Sequence, residues 1–280
     1  MGGQTRSRRW AVLMAVAMAM ATLAGDGAGC GSSGMSAAPP GSGGAGGSVV
    51  LGSGGSGGSG GLPGDAAAAD VATGGDAPAV AVSIRDGLTA LTRTCKMTVG
   101  HVYGFDSDPQ DPDKGKTTQI CALDGAIFWI ADMDIDCDGK ATPGKCDRED
   151  DCCYAPDTSL HGNNGPLTAA VTPYVVLPTD FVQPGLELGT VVAVIYNNQM
   201  TYAIFGDTGP NDIIGEASYA CAERLGINPS AKNGGALGAT VTYVAFTKGT
   251  ASVPQDVEDQ DQTRTLGESL AKELLEKNQP

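Results

Sequence analysis

The stretch Val191–Gly226, VVAVIYNNQMTYAIFGDTGPNDIIGEASYACAERLG, decides the fold of this chain. It begins with Val191–Tyr196, which is apolar at alternate and intervening positions alike and therefore predicts a central strand buried on both faces. Asn197-Asn198 follows, and asparagine tolerates the positive φ of a tight hairpin. A second predicted strand, Met200–Phe205, completes the hairpin and leads directly into Gly206-Asp207-Thr208-Gly209-Pro210.

Two acidic residues follow the hairpin closely. Asp207 ends the second strand between two glycines that let the backbone turn closely. Glu216 begins an amphipathic helix predicted over Gly215–Leu225, which ends at Gly226. We expect both carboxylates to face one cleft. Glycoside hydrolysis requires two carboxylates held apart on a fixed scaffold.

Several motifs resemble those of the fungal-type chitosanases, glycoside hydrolase family 75. Two stand in the segment already quoted, Gly206–Pro210 and Ile214–Tyr219, and others surround them in the chain: Leu225–Pro229, Met133–Gly139, Pro173–Pro178 and Val241–Phe246. They span residues 95–250. The resemblance implies an inverting endo-chitosanase that hydrolyses β-1,4 glucosamine linkages, with Asp207 and Glu216 as the catalytic pair.

We assign Glu216 as the general acid and Asp207 as the general base that activates water. A helix N-terminus stabilises a carboxylate anion and so lowers the pKa of a glutamate, whereas a general acid needs a raised pKa. Burial or the field of ionised Asp207 must outweigh this effect; otherwise the two roles exchange.

A second acidic cluster lies upstream, and we interpret its carboxylates as subsites for glucosamine ammonium groups. Alternate residues of an extended segment point the same way, so the cluster could line one wall of the cleft: Asp132, Asp134, Asp136 and Asp138. The alternative is a calcium loop, which Asp134–Gly139 matches at its start. The match fails at its twelfth position, Lys145. We therefore expect no metal and no cofactor.

Aromatic side chains commonly form stacking platforms for sugars. Trp129 lies close to the acidic run, and we include it with Tyr202 among the expected substrate-binding residues. The alternative is that both rings belong to the core.

The first residues carry targeting signals. Arg6, Arg8 and Arg9 precede an uncharged apolar run and small residues, so residues 1–29 are interpreted as a signal peptide. Cys30 could then be the lipid-modified first residue of a bacterial lipoprotein or merely a cysteine near a cleavage site. Residues 30–84 form a Gly/Ser/Ala-rich flexible linker, and residues 85–280 form the catalytic domain. We expect a secreted protein. The alternative is a lipoprotein that is tethered to the bacterial outer membrane.

The chain carries a net charge of −15, concentrated in residues 85–280. An acidic surface repels nucleic acid and anionic lipid, so we expect no nucleic-acid partner. It would attract a polycation such as chitosan, although solubility alone also explains the charge. We expect a monomer.

Seven cysteines lie in the domain, five of them in loop-like sequence between residues 121 and 153. In an exported protein this predicts disulfides that pin loops, with the connectivity left open. Cys221, on the apolar side of the predicted helix, is the candidate for a free buried thiol. With only His101 and His161 and no Cys-x-x-Cys pairs, a zinc site is disfavoured.

Short β-branched or aromatic runs dominate the domain and predict further strands at Thr98–Tyr103, Ile127–Ala131, Tyr174–Leu177 and Thr240–Thr247. An amphipathic C-terminal helix is predicted at Leu266–Lys277, after a solvated acidic loop at residues 255–262. The fold class is therefore mainly β, a compact β-barrel with a few external helices. A six-stranded double-psi barrel is the specific expectation, by analogy with small polysaccharide-cleaving barrels.

Two other functions remain open. One is a non-catalytic surface lipoprotein that binds a cationic polysaccharide. The other is a cell-wall lytic enzyme built on a similar barrel.

Overall fold

A computed structural model describes residues 83–104 and 117–278. The elements are, in chain order, α1 Ile84–Leu91, β1 Thr98–Gly104, β2 Thr117–Leu123, β3 Ala126–Asp136, β4 His161–Gly162, β5 Gly165–Pro166, β6 Tyr174–Pro178, β7 Val191–Tyr196, β8 Gln199–Gly209, β9 Glu216–Ser218, α2 Tyr219–Leu225, β10 Ala236–Phe246, a 3₁₀ turn at Gly249–Ser252, and α3 Gln260–Lys277. The predicted signal peptide, Cys30 and the linker up to residue 82 lie outside the described residues. Helix α1 begins one residue before the expected start of the domain.

Six strands close into a ring in the order β3, β10, β7, β8, β6, β9 and back to β3. The β6–β8 and β3–β9 pairs are parallel, and the other four pairs of the ring are antiparallel. The β1–β2 hairpin extends the sheet from the first half of β3. A mainly β fold with a closed six-stranded barrel and external helices is confirmed; the double-psi connectivity stays a prediction.

The predicted central hairpin is present. Strand β7 is buried along almost its whole length, and its last residue, Tyr196, pairs directly with Gln199 of β8. Asn197 has a φ of 51°, which is the left-handed conformation that the two-residue turn requires. The hairpin contributes Val192, Val194 and other residues to the core inside the barrel.

Two further apolar clusters lie outside the ring. Helices α1 and α3 cover one side, where Leu88, Leu270 and Leu274 pack on Phe128 and other outward residues of the barrel. The second cluster packs beside β6 and contains Tyr174, Val176, Leu167 and Ile204. The outer side of β6 is therefore firmly packed, which matters because the acidic groups of the sequence gather there.

The predictions of disulfides in the domain and of a free buried thiol are confirmed. Cys95 pairs with Cys121, and Cys137 pairs with Cys146 across a nine-residue separation. Cys221 is free and buried. Each disulfide joins a loop cysteine, Cys95 or Cys146, to a cysteine in or directly after a strand.

The C-terminal helix begins earlier than predicted, at Gln260, because the side chain of Asp259 accepts hydrogen bonds from the N–H groups of Asp261 and Gln262 and so caps the helix. Part of the expected acidic loop is thus helical. Within the residues described, no helix combines the length and apolar character needed to cross a bilayer.

Candidate active site

One residue from each of four neighbouring strands forms a row across the barrel wall. Asp134 of β3 is in register with Glu216 of β9, Glu216 with Val176 of β6, and Val176 with Asp207 of β8. Adjacent strands lie about 4.8 Å apart, so two strand spacings place the Cα atoms of Asp207 and Glu216 about 9–10 Å apart. The row holds three carboxylates on a rigid sheet, with buried Val176 between the two predicted catalytic residues.

A β-bulge in β8 turns Asp207 to the outer face of the barrel. Phe205 and Asp207 are in register with consecutive residues of β6, so Gly206 between them has no partner on that strand. An extra residue reverses the inside–outside alternation of a strand. Phe205 packs in the barrel interior, and Asp207, which plain alternation would also point inward, lies on the same face as Val176.

The bulge residue is held from two sides. A Cβ atom at position 206 would stand 2.6 Å from Cβ of Tyr174 and 2.8 Å from Cδ1 of Leu167, so only glycine fits without displacement. On its free side the Gly206 carbonyl accepts a hydrogen bond from the N–H of Leu160 at 3.0 Å. This contact brings the preceding residue, Ser159, beside Asp207.

Three donors converge on Oδ1 of Asp207. The N–H and the hydroxyl of Ser159 donate at 2.8 and 2.7 Å, and the N–H of Thr208 donates at 2.7 Å. An ionised carboxylate only accepts hydrogen bonds, so this arrangement suits Asp207 as an anion and fixes its orientation. The sequence analysis did not single out Ser159, which lies 48 positions before Asp207 in a loop with no local motif.

Glu216 lies on strand β9, and its predicted position in the first helical turn is wrong. Helix α2 begins at Tyr219, where the side chain of Ser218 accepts a hydrogen bond from the N–H of Cys221 and caps the helix. Pairing with β3 on one side and β6 on the other keeps Glu216 extended. Glu216 is partly exposed as a whole residue, whereas its carboxyl group is enclosed by protein atoms. Oε2 lies 3.3 Å from the point that a Cβ atom at Gly209 would occupy.

The pKa of Glu216 is raised well above its usual value. Burial is the largest cause, followed by the neighbouring carboxylates, in the order Asp136, Asp134, Asp138 and Asp207. Glu216 is part of a strand and not of the first helical turn. The lowering of its pKa that was expected from a position inside that turn therefore does not apply. Glu216 therefore holds its proton in a pH range where an ordinary glutamate has lost it.

Strand β3 carries the acidic run on its outer face, opposite the interior residues Trp129, Ala131 and Met133. The members of the run differ in access. Asp134 is exposed beside Glu216, whereas Asp136 is buried. Asp132 is 3% exposed, and a Cβ atom at Gly215 would stand 2.1 Å from its Oδ1. The loop before β9 thus covers Asp132, which lies behind the row.

Asp136 and Asp138 gather around the predicted base. One oxygen from each of Asp136, Asp138 and Asp207 lies within 4.8 Å of the other two. Burial, and then the charge of Asp138, raise the pKa of Asp136 well above its ordinary value. Burial, opposed by a hydrogen bond from the N–H of Ala155, raises the pKa of Asp138 to about 6.

The calcium-loop alternative does not fit this geometry. Asp134 and Asp136 lie in an extended strand, whereas such a loop wraps its ligands around one ion. The three clustered carboxylates are nevertheless close enough to share a cation, so the absence of a metal stays a prediction.

The two aromatic platform assignments need correction. Trp129 is 1% exposed and stacks on Tyr243 inside the barrel, with ring centroids 5.2 Å apart. Tyr202 is 6% exposed in the outer cluster that α3 covers. A Cβ atom at Gly267 of α3 would stand 2.3 Å from its ring. Both rings are core residues because each is enclosed by packed neighbours, and neither belongs to the row of carboxylates.

The β1–β2 hairpin anchors the loop between the two predicted catalytic residues. Gly104 donates its N–H to the carbonyl of Asp212 at 2.7 Å and accepts from the N–H of Ile214 at 2.8 Å. His101 adds contacts of 3.3 Å to the carboxylates of Asp212 and Asp180. The ends of this loop are thus fixed by strand pairing and its middle by the hairpin.

A closed barrel that presents two separated carboxylates, one with a raised pKa and one oriented by donors, has the groups of a glycoside hydrolase. Residues 133–275 match the family described as fungal chitosanase of glycosyl hydrolase group 75. This match covers about half of the sequence, and the chain belongs to that family.

Similar proteins carry chitosanase names. Endo-chitosanase C of Aspergillus oryzae is 34% identical over 163 residues, covering 52% of this chain and 40% of that protein. An endo-chitosanase of Aspergillus fumigatus is 33% identical over 131 residues, covering 40% and 55%. Endo-chitosanase B of Aspergillus oryzae (strain ATCC 42149 / RIB 40) is 28% identical over 225 residues, covering 69% and 92%. The chain spans less than half the length of the first of these relatives.

Proposed function

We propose that the protein is an endo-chitosanase that hydrolyses β-1,4 glucosamine linkages in chitosan. The observation that carries the proposal is the row in which Asp207 and Glu216 flank Val176 on one outer face of the barrel. Family membership and the names of the relatives support the substrate. The net charge of −15 suits a polycationic chain, since it concentrates cations near the surface.

The proposed mechanism inverts the anomeric configuration. Inverting enzymes keep their two carboxyl groups about 6.5–9.5 Å apart, which leaves room for a water molecule, whereas retaining enzymes hold them about 5–5.5 Å apart. The Cα atoms of Asp207 and Glu216 are about 9–10 Å apart, set by two strand separations, and this separation is compatible with the wider class. Val176 lies between the two residues in the row of paired strands.

The environments assign the roles. Glu216 keeps its proton because burial and neighbouring carboxylates raise its pKa, so it can protonate the leaving oxygen. Asp207, which accepts three hydrogen bonds at Oδ1, takes a proton from the attacking water. One proton passes from Glu216 to the leaving sugar and one from water to Asp207, so two proton transfers restore the pair afterwards.

Substrate ammonium groups would meet the remaining carboxylates. Exposed Asp134 lies directly beside Glu216 in the row, and partly exposed Asp138 belongs to the cluster around Asp207. An ammonium group between such carboxylates relieves their mutual repulsion. Asp136, which is about as buried as Asp207, raises the pKa of Glu216 through its charge.

The test is the pair of variants Glu216→Gln and Asp207→Asn, compared with Glu223→Gln, an exposed glutamate of α2 that changes the charge equally. Each active-site variant should lose chitosan hydrolysis by about 10³-fold or more, with a melting temperature near that of the wild type. Proton NMR of fresh products should show the α-anomer first.

Retained hydrolysis in both variants would end the assignment of the pair. If the β-anomer formed first, the mechanism would be retaining and not inverting. Retention on a chitosan column without loss of chitosan viscosity would indicate the non-catalytic binder, and clearing of peptidoglycan without chitosan cleavage would indicate a cell-wall lytic enzyme.

We also infer an exported location. The Cys95–Cys121 and Cys137–Cys146 disulfides support it, since such bonds persist outside the reducing cytosol. Membrane attachment through lipidated Cys30 is a separate proposal that rests on the sequence. Labelling with radioactive palmitate should mark the wild type and leave Cys30→Ser unlabelled; an unlabelled wild type would rule out the anchor.

A further inference from the structure

We propose that Ser159 is a positioning residue for the general base, acting through Asp207 rather than through substrate. The inference deepens the proposed function and rests on it. Ser159 lies outside every motif that the sequence analysis singled out, in the loop before β4. Its importance follows from the hydrogen bonds around the bulge.

The bulge itself brings Ser159 to this place. Gly206 has no partner on β6, and its carbonyl instead accepts the N–H of Leu160 at 3.0 Å. The hydroxyl of buried Thr158 donates to the carbonyl of Leu160 at 2.7 Å and accepts the N–H of Leu167 at 2.9 Å. Ser159 is therefore held between two residues whose own bonds tie them to the packed side of the barrel.

Ser159 then controls one oxygen of the base. Its N–H and hydroxyl both donate to Oδ1 of Asp207, beside the N–H of Thr208. Across the described residues, every hydrogen bond to this carboxylate from a protein donor reaches Oδ1. The other oxygen, Oδ2, is left to take the proton of the attacking water, and the three bonds stop the carboxylate from rotating.

A second hydroxyl extends the arrangement. Oγ of Ser159 and Oγ1 of Thr208 lie 2.6 Å apart. A serine hydroxyl has a single proton, and when Ser159 gives it to Asp207, Thr208 must be the donor in this contact. The order of donation is therefore Thr208 to Ser159 to Asp207. Each hydroxyl in such a chain strengthens the next bond, so the anion is held more firmly than by Ser159 alone.

The experiment compares Ser159→Ala with Ser159→Thr and with Ser269→Ala, an exposed serine of α3 on another side of the barrel. Ser159→Ala should lower kcat about tenfold, with KM within about twofold of the wild type. The shape of its pH–rate profile should also change, because the base has lost its hydroxyl donor at 2.7 Å. Ser159→Thr, which keeps the hydroxyl at an exposed position, should restore both.

Three results would overturn the proposal: a wild-type rate and profile in Ser159→Ala, an effect confined to KM, or a Ser159→Thr protein as slow as Ser159→Ala. In an Asp207→Asn background the serine substitution should add no further loss, and a full additional loss would place its action elsewhere.

A readout without turnover separates this inference from the function itself. Carboxyl ¹³C NMR of the full-length protein identifies the Asp207 signal by its disappearance in Asp207→Asn. In Ser159→Ala the chemical shift of that signal should change, because the carboxylate loses the hydroxyl donor at 2.7 Å, and an unchanged signal would refute the coupling even if the protein did not cleave chitosan. An inactive wild type, together with the changed signal in Ser159→Ala, would refute the proposed function alone.

Discussion

Asp138 should destabilise the barrel when it is ionised, and Asp138→Asn should relieve that cost. Burial, together with the charges of Asp207 and Asp151 and against a hydrogen bond from the N–H of Ala155, raises the pKa of Asp138 from 3.8 to about 6. The folded protein thus binds this proton more tightly than the unfolded chain does. The resulting contribution to stability is complete below pH 3.8 and is lost as the pH rises through about 6.

The magnitude follows from the size of the shift. About two pH units correspond to at most about 3 kcal/mol, and because Asp138 is partly exposed, solvent screening reduces the figure to about 1–2 kcal/mol. Asparagine keeps the oxygen that accepts the N–H of Ala155, at 2.6 Å in the wild type. We expect Asp138→Asn to gain about 1–2 kcal/mol in the free energy of unfolding at pH 8, or about 3–6 °C in melting temperature, and nothing at pH 3.5.

Urea denaturation at pH 8, 6, 5 and 3.5 measures the effect, with Glu149→Gln as the control. Glu149 is exposed, so its substitution changes the net charge equally without changing the cluster. A gain of the same size in both variants, or one that does not depend on pH, would show a general charge effect. No gain at pH 8 would refute the argument from burial.

Gly206→Ala should cost about 2–3 kcal/mol in stability by urea denaturation, because the new methyl group would overlap Tyr174 and Leu167; a cost below 0.5 kcal/mol would show that the bulge tolerates a side chain. Cys221, whose pKa burial raises to about 12, should resist a thiol reagent at pH 8 until the protein is unfolded. The number of thiols that react in Cys221→Ala should equal that of the wild type in the folded protein and should be one lower in the unfolded protein. A difference between the two folded proteins would contradict the burial of Cys221. The fluorescence of Trp129, isolated by subtracting the spectrum of Trp129→Phe, should not change with chitosan oligosaccharides, and a change would restore its role as a platform.

The barrel could be predicted largely from local patterns. Val191–Tyr196 was predicted with its observed boundaries, and the turn at Asn197 follows from its tolerance of positive φ. Strand β9 was missed because its three residues continue smoothly into the amphipathic pattern of α2. Only its neighbours β3 and β6 make that segment extended, and those contacts come from distant parts of the chain.

The acidic groups of the site were foreseeable, but their arrangement was not. The alternation of Asp132, Asp134 and Asp136 with apolar residues already separates two faces of β3, and the same alternation places Trp129 on the interior face. This alternation alone predicts that Trp129 belongs to the core. The bulge at Gly206 and the approach of Ser159 depend on tertiary packing, because Tyr174 leaves room for glycine only and Leu160 binds the carbonyl that the bulge exposes.

The strand that closes the ring, β9, also bears Glu216. It pairs with β3 and β6, so a chain that has formed every other pair of the barrel still lacks the row of Asp207 and Glu216 that the proposed mechanism requires. During refolding, chitosan hydrolysis should therefore return only when β9 closes the barrel, after most of the β-sheet has formed. A destabilised variant in which β9 separates from β3 and β6 should lose chitosan hydrolysis well before its circular dichroism changes.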